Sequence, residues 1–242
     1  MSAVPAAQAA GKTVAIMQPT FLPWIGYFAL IDRVDLFVFL DDVQFDKRSW
    51  QQRNRILTAQ GPLWLTVPVL TKGRRDQTIA EVQISPDPKF PASLLRTVES
   101  AYGKAPHFSR VFPDFAAILE SHDGQLCTLN LALINWLASA FGIETPVVRS
   151  SGTPVASAKA DRLAELCLAH GATRYLSPPG SKAYLDESNA FAQAGIDLAY
   201  FEYEHPTYGQ SDKAFQPYMS ALDLLLHAGP DSLAILRSGV KT

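Results

Sequence analysis

Residues 13–40, TVAIMQPTFLPWIGYFALIDRVDLFVFL, decide the fold of this chain because they place two apolar runs around one short connection. The first run, TVAIMQ at 13–18, is stopped by Pro19, and the second is DLFVFL at 35–40. Short apolar runs of this kind are typical of buried strands. Residues 27–32 (YFALID) predict a short helix between them, so the stretch predicts a parallel strand–helix–strand unit.

The second half of the chain shows the same alternation of strands and helices. The spacing predicts strands at 146–149, 174–176 and 197–201, and helices at 159–169, 182–194, 215–226 and 230–236. Gly171 and Gly195 lie where two of these helices should end. We therefore predict a three-layer α/β fold with a mostly parallel sheet.

A β-hairpin and helical insertion is predicted at about residues 44–140. Strands at 63–69 (LWLTVPV) and 79–84 (IAEVQI) flank a basic turn, which predicts an antiparallel pair. Apolar residues recur at helical spacing from 89 to 141, which predicts three consecutive helices. Residues 1–11 are predicted to be a mobile tail, and residues 12–242 one α/β domain that contains the insertion.

The composition is that of a folded protein with a sizeable core. Of the 242 residues, 48% are hydrophobic and 18% are charged, which excludes disorder for most of the chain. No stretch has the roughly 20 apolar residues of a membrane helix, and the start lacks the zones of a signal peptide. We expect a soluble cytoplasmic protein with no membrane partner. Cys127 and Cys167 lie in helical patterns, which predicts buried thiols and no disulfide.

Charge is distributed unevenly along the chain although the net charge is only −2. Residues 44–110 hold 11 Lys and Arg against 5 Asp and Glu, and the rest holds 10 against 18. A basic side of this kind attracts phosphate-bearing partners: nucleic acid, nucleotides or sugar nucleotides. Because the whole chain is acidic and its basic motif holds one aromatic residue, we favour a small phosphorylated or sugar-nucleotide ligand over nucleic acid.

Two motifs follow the first two predicted strands. In the first, QPTFLPWIGY at 18–27, the candidate ligand-binding residues are Gln18, Trp24 and Tyr27; the alternative is a Pro-rich turn whose aromatic residues fill the core. The second, DDVQF at 41–45, offers Asp41 and Gln44 for binding and Asp42 as a general base. A Mg²⁺ ligand or an amine anchor are further roles for this acidic pair, and strand-end acids that face solvent are the structural alternative.

A third motif, KRSWQQRNR at 47–55, combines four cations with one tryptophan. Guanidinium groups bind phosphate or carboxylate, and an indole stacks on a base or sugar. A solvated basic loop with Trp50 packed inward is the alternative. The candidate binding residues are Lys47, Arg48, Trp50, Arg53, Asn54 and Arg55.

Two further motifs follow later strands. LSPPGSKAYLD at 176–186 offers hydroxyl and amide donors to an anion, with Ser177, Gly180 and Tyr184 as candidates, although a serine-capped turn explains the same residues. HPTYGQ at 205–210 contains a histidine suited to proton transfer. The motif indicates His205 as a catalytic base and Tyr208 and Gln210 as binding residues. The alternative is that His205 has a purely structural role.

Other common sites are not predicted. Cys167 and His170 share a helix face but lack further ligands nearby, so no metal site is expected. The glycine patterns of dinucleotide binding and of a hydrolase nucleophile elbow do not occur.

Six blocks in one order resemble the WbqC-like family from about residue 14 to 236: MQPTFLPWIGYF, DDVQF, KRSWQQRNR, YLSPPGSKAYLD, HPTYGQ and SALDLLLHAGP. The family is met in bacterial O-antigen and other surface-polysaccharide gene clusters. The resemblance implies attachment of an amino acid such as glycine to an amino sugar.

The front half is also distantly similar to pantothenate synthetase and related nucleotidylyltransferase-like α/β proteins, which activate a carboxylate as an acyl adenylate. PTFLPWIGY and DDVQF carry this similarity. The His-x-Gly-His that grips ATP in those proteins is absent, with Trp24 and Tyr27 near the matching places. The resemblance therefore leaves two donors open: ATP with Mg²⁺, or an already activated acyl or aminoacyl group on a carrier or on aminoacyl-tRNA.

Our leading hypothesis is an amide-forming acyltransferase or ligase that joins a small carboxylic or amino acid to an amine of a sugar-nucleotide-like acceptor. A non-catalytic sugar-nucleotide-binding protein of the polysaccharide machinery is the alternative, followed by a nucleic-acid-binding protein. The enzymatic hypothesis requires the loops that begin near Gln18, Asp41, Ser177 and His205 to converge on one pocket beside the arginines. The oligomeric state stays open.

Overall fold

The computed structural model describes residues 11–210 and 214–241, so the predicted tail lies outside it apart from Gly11. The strands in these ranges are β1 (Thr13–Met17), β2 (Leu36–Phe39), β3 (Arg53–Thr58), β4 (Gly61–Thr66), β5 (Val147–Arg149), β6 (Arg174–Ser177) and β7 (Asp197–Tyr200). The α-helices are α1 (Ile25–Ile31), α2 (Ala92–Tyr102), α3 (Phe108–Glu120), α4 (Leu126–Phe141), α5 (Lys159–Ala169), α6 (Lys182–Asp186), α7 (Ala190–Gln193), α8 (Ala221–Ala228) and α9 (Ser232–Ser238).

The main sheet has five parallel strands in the order β5-β2-β1-β6-β7. Val14 in β1 is aligned with Leu36 of β2 on one side and with Tyr175 of β6 on the other. Along the chain, β2 and β5 are thus added on one side of β1, and β6 and β7 follow on its other side. Ligands of open α/β sheets bind at such a switch point, outside the carboxyl ends of the strands.

Helices cover both faces of this sheet. In β2, Phe37 and Phe39 pack into a core with α1, α4, α8 and α9, whereas Leu36 and Val38 pack into a second core with α5, α6 and α7. Alternation along a strand sends successive side chains to opposite faces, which is why both cores draw on the same strand. The predicted three-layer α/β fold with a parallel strand–helix–strand start is confirmed.

The predicted hairpin is wrong in its partners. β3 pairs with β4, and residues 79–81 form a 3-10 turn. Val69 and Ile84 meet only through one isolated bridge. The missed strand β3 starts with alternation, because Arg53 and Arg55 are partly exposed while Asn54 and Ile56 are buried, but Asn54 is polar and the next residue, Leu57, is buried as well, which hides the period of two.

The helices are predicted better than the hairpin. The three helices α2, α3 and α4 are confirmed, and α5 has the predicted bounds. The helix predicted at 182–194 is instead split into α6 and α7, and in the break between them the Ser188 hydroxyl accepts a hydrogen bond from the Ala190 amide. The helix predicted from 215 begins only at Ala221, where the Ser220 hydroxyl caps it. Across the described ranges, no helix combines the length and the apolarity needed to cross a membrane.

Candidate functional site

A cleft with two lobes lies at the carboxyl end of β1, at the switch point of the sheet. The aromatic lobe, of about 310 Å³, is lined by residues that include Pro23, Trp24, Tyr27, Trp50, Arg55 and Tyr218. The switch-point lobe, of about 330 Å³, is lined by residues that include Gln18, Leu40, Ser49, Gln51, Ser181 and Tyr184. Met17, Thr20 and Trp50 belong to both linings, so the two lobes adjoin.

Rings from distant parts of the chain build the aromatic lobe. The rings of Trp24 and Tyr218 lie 5.3 Å apart. Tyr27 on α1 is buried, and its hydroxyl donates a hydrogen bond to the Gln18 carbonyl, 3.1 Å away. Burial raises the pKa of the Tyr27 hydroxyl well above its usual value, so it remains a donor. A side chain at Gly26 would meet the Trp24 indole at 2.2 Å, so this glycine makes room for the wall.

The switch-point lobe has a largely apolar lining that also carries several polar side chains, among them Gln18, Ser49 and Ser181. Gln18 is exposed at the end of β1, and its Oε1 accepts a hydrogen bond of 2.9 Å from Gln51 Nε2. Tyr184 at the start of α6 is 42% exposed and lines the lobe. Gly180 lies in the preceding 3-10 turn with open space around it. Ser177 is buried, and its hydroxyl donates to the Pro178 carbonyl.

Two arginines and two tryptophans form a stack beside the aromatic lobe. The Arg53 guanidinium lies 4.4 Å from the centre of the Trp64 ring, and Arg55 lies 5.8 Å from the centres of both Trp50 and Trp64. The two indoles are 5.1 Å apart. The pairing of β3 with β4 explains the stack, since it sets Arg55 opposite Trp64 on the exposed face of the hairpin. Trp50 is 48% exposed, so the alternative of an inward-packed indole is wrong.

Three residues have left-handed backbone close in sequence to residues that line the cleft: Leu22 (φ 44°), Arg48 (φ 63°) and Tyr218 (φ 62°). Each makes a main-chain hydrogen bond with a side chain of residues 52–55. Asn54 donates to the Leu22 carbonyl at 2.8 Å, the Arg48 amide donates to Gln52 Oε1 at 3.0 Å, and Arg55 donates to the Tyr218 carbonyl at 3.4 Å. Backbone strain of this kind persists where the surroundings enforce it, and it clusters at functional sites.

Side-chain amides also join the loop after β1 to the segment before β3. Asn54 donates to the Phe21 carbonyl as well as to Leu22, and Asn130 on α4 donates to both Gln51 and Pro19. We call this set of bonds the amide bridge. It fixes Trp50 relative to the end of β1.

The predicted acidic pair is fully engaged by neighbouring side chains. Asp41 is completely buried and accepts hydrogen bonds from Arg149 Nε at 2.6 Å and from the Ser151 amide at 3.0 Å. Burial alone would raise the pKa of the Asp41 carboxyl, but these bonds outweigh it and lower that pKa below its usual value. Asp42 pairs with Arg162 and accepts from the Ser150 hydroxyl at 2.5 Å.

This arrangement does not fit the Mg²⁺ ligand considered for the pair. All four carboxylate oxygens of Asp41 and Asp42 already accept bonds from neighbouring donors, two of them guanidinium groups. Neither residue lines a lobe of the cleft. The proposed catalytic role of Asp42 stays a prediction.

His205 packs behind the aromatic lobe. Its ring is stacked on Trp24 at 6.0 Å and meets the edge of Tyr218 at 5.2 Å, but it is not part of the lining. Nδ1 lies 2.8 Å from the Pro206 carbonyl, which assigns the proton to Nδ1 and the lone pair to Nε2. Nε2 is buried and has no hydrogen-bond partner among the described residues. Burial lowers the pKa of His205, only partly opposed by the Pro206 bond, so the ring is neutral near pH 7.

The profile of the WbqC-like protein family matches residues 18–235, which include every residue that lines the cleft except Ile16 and Met17. The chain belongs to the WbqC-like family. It is 40% identical over 228 residues, 93% of this chain and 98% of the other, to the Mycobacterium tuberculosis protein Rv1507c, described as uncharacterized. No solved structure matches this WbqC-like chain.

Two predicted site residues of this WbqC-like chain do not line the cleft and form hydrogen bonds to a buried carboxylate instead. Tyr208 and Gln210 each donate to Asp223 Oδ1 at 2.8 Å, and Asp223 is completely buried on α8. Burial raises the pKa of Asp223, against the opposing effect of His227. Tyr208 and Gln210 therefore tie the loop that carries His205 to α8.

Three of the predicted binding residues lie outside the cleft: Gln44, Lys47 and Arg48 are exposed and line neither lobe.

Other residues of the cleft are not predicted by the sequence. Met17, Thr20 and Tyr218 line the cleft, and Trp64 supports it, although none of them was selected. The alternation of Trp64 with the buried Leu65 could have indicated an exposed indole, whereas Tyr218 reaches the cleft only through long-range packing.

Proposed function

We propose that this WbqC-like protein forms an amide between a small acyl or aminoacyl group and an amine on a sugar-nucleotide-like acceptor, in the synthesis of a surface polysaccharide. The observation that carries the proposal is the two-lobed cleft at the switch point, with a guanidinium, Arg55, in its wall that pairs with no carboxylate of the described residues. The family resemblance in sequence supports the same chemistry.

The reaction requires an activated acyl donor and a neutral amine. The amine nitrogen forms a bond to the acyl carbon, the bond from that carbon to the leaving group breaks with its electron pair, and the amine loses one proton. Positioning both groups in one cleft contributes much of the rate. Arg55 would hold the acceptor phosphate, and the amide and hydroxyl groups of Gln18 and Ser181 would orient its sugar.

His205 is the base that this chain offers for the proton. Its ring is neutral near pH 7, and Nε2 carries a lone pair that no described residue uses. Since Trp24 and Tyr218 separate the ring from the aromatic lobe, the proton reaches Nε2 only when one of these rings shifts on binding. Asp42 is less suited because Arg162 already holds it.

An amide-formation assay tests the proposal. The protein is incubated with amino-sugar nucleotides and with three donor classes: ATP and Mg²⁺ plus amino acids, acyl carriers, and aminoacyl-tRNA. Product is detected by mass spectrometry. We expect His205→Ala to lower turnover by about 10²-fold or more while circular dichroism shows that the fold is retained, although losing a ring that packs on Trp24 and Tyr218 lowers the melting temperature. His170→Ala, a half-buried histidine of α5's end, is the matched control. Unchanged turnover in His205→Ala removes this base from the mechanism.

A second candidate is a binding protein that recognises a sugar nucleotide without changing it. The engaged oxygens of Asp41 and Asp42 and the position of His205 behind the lobe favour it. It predicts acceptor binding without turnover on any donor, and unchanged affinity in Asp42→Asn and His205→Gln. A steep loss of binding with salt, seen only with oligonucleotides, would instead indicate nucleic acid.

A further inference from the structure

We propose that the aromatic lobe is a nucleotide subsite, in which the base stacks on Trp50 and the diphosphate binds Arg55, so that the sugar enters the switch-point lobe. This inference rests on the proposed function and specifies the part of the acceptor that the cleft recognises.

Trp50 is placed to stack on a ligand. It is the one large aromatic residue whose side chain lines both lobes within the described part of the chain, and it is 48% exposed. Trp64 lines neither lobe and packs on Trp50 at 5.1 Å. Trp64 thus supports Trp50 from outside the cleft, and Trp50 remains 48% exposed with Trp64 packed on it. Stacking on an aromatic ring is the base contact that tolerates every base.

Arg55 is the cation of this subsite. Its guanidinium lies beside the indole pair, 5.8 Å from the ring centres of both Trp50 and Trp64, and its hydrogen bond to the Tyr218 carbonyl is long, at 3.4 Å. Its Nε is buried without a partner, and no carboxylate among residues 11–210 and 214–241 pairs with it. Arg149 and Arg162, by contrast, are each paired with an aspartate. A half-buried cation without a counter-charge is costly, and a bound phosphate would supply that charge.

The residues that line each lobe indicate which part of the ligand binds there. Trp24, Tyr27 and Tyr218 give the aromatic lobe a largely apolar wall that suits a planar base. Gln18 and Ser181 give the switch-point lobe the amide and hydroxyl groups that bind a sugar. Volumes of about 310 and 330 Å³ suit one mononucleotide and one sugar. Single-stranded nucleic acid instead needs a groove with successive stacking rings.

Isothermal titration calorimetry with uridine, thymidine and guanosine diphosphates tests the subsite, with uridine and glucose 1-phosphate as partial ligands. We expect Trp50→Leu to weaken diphosphate binding by about 5- to 150-fold, and Arg55→Gln by about tenfold or more. Arg55→Gln should weaken the binding of uridine much less than that of the diphosphates, because uridine has no phosphate. Trp136→Leu and Arg96→Gln, on α4 and α2, are matched controls outside the cleft.

Trp64 is a positioning residue, and a graded test separates its role from that of a ligand contact. Trp64→Leu should weaken binding less than Trp50→Leu, and Trp64→Phe should restore it because a ring again supports Trp50. Circular dichroism of each variant shows that the fold is retained.

Three results would overturn the inference: wild-type diphosphate affinity in both Trp50→Leu and Arg55→Gln, glucose 1-phosphate binding as tightly as the diphosphates, or oligonucleotides binding far more tightly with a steep salt dependence. These outcomes differ from failure of the proposed function. Diphosphate binding without amide formation removes the reaction and keeps the subsite. Amide formation on an amino sugar that lacks a nucleotide keeps the reaction and removes the subsite.

Discussion

Replacing Asp41 by asparagine should destabilise the fold by about 2 to 3 kcal/mol. The Asp41 side chain is completely buried and accepts bonds from Arg149, Ser150 and Ser151. Breaking a buried ion pair costs about 3 to 5 kcal/mol, because one charge is left without a partner. The Arg149 side chain is 44% exposed and can rehydrate, which reduces the cost. For a chain of this size the loss corresponds to a melting temperature lower by roughly 4 to 12 °C.

Differential scanning fluorimetry at neutral pH measures this shift, with Asp114→Asn, an exposed aspartate of α3, as the control. The difference should also depend on pH. Because the pKa of Asp41 is lowered in the folded state, its stabilisation is complete above the unfolded pKa of about 3.9 and is lost as the pH falls through the folded pKa. The melting temperatures of wild type and variant should therefore converge in acid. A shift below about 2 °C at neutral pH, or one that does not change in acid, would refute this reasoning.

Three further predictions concern single side chains. Gly26→Ala should abolish the rise in melting temperature that a ligand bound in the aromatic lobe causes, because the added Cβ displaces the Trp24 indole from the wall of that lobe. An unchanged rise in melting temperature contradicts this prediction. Tyr208→Phe should lower the unfolding free energy in urea by about 1.5 to 3 kcal/mol, since Asp223 loses a bond; an equal midpoint contradicts this. Burial raises the pKa of Cys127 to about 11 and of Cys167 to about 12, so neither should react with Ellman's reagent until urea unfolds the protein.

Local periodicity predicted the parts of the fold whose side chains alternate or recur by apolarity. Residues 13–40 and helix α5 are examples, since their burial patterns follow from their own sequence. Strand β3 was not predicted because its buried face includes the polar residue Asn54. The side-chain amide of Asn54 donates to carbonyl groups of a loop about 30 residues away. An isolated sequence gives no sign that a polar residue has such partners.

Part of the site follows from the same logic. Gln18, Trp24, Trp50 and Tyr184 were selected from motifs beside strand ends and do line the cleft. The surroundings of Asp41 could not be foreseen, because Arg149 comes from an edge strand 108 residues further along the chain. The catalytic role of His205 stays a prediction.

The amide bridge limits which residues of the two segments that it joins can change during evolution. The loop after β1 is bonded through Asn54 and Asn130 to the segment that carries Trp50. The acceptors are main-chain carbonyl groups, which remain when the side chains of the loop change, whereas replacing Asn54 or Asn130 leaves those carbonyl groups without their donor. The side chains of the loop after β1 can therefore change, and with them the ligand preference, as long as both asparagines stay.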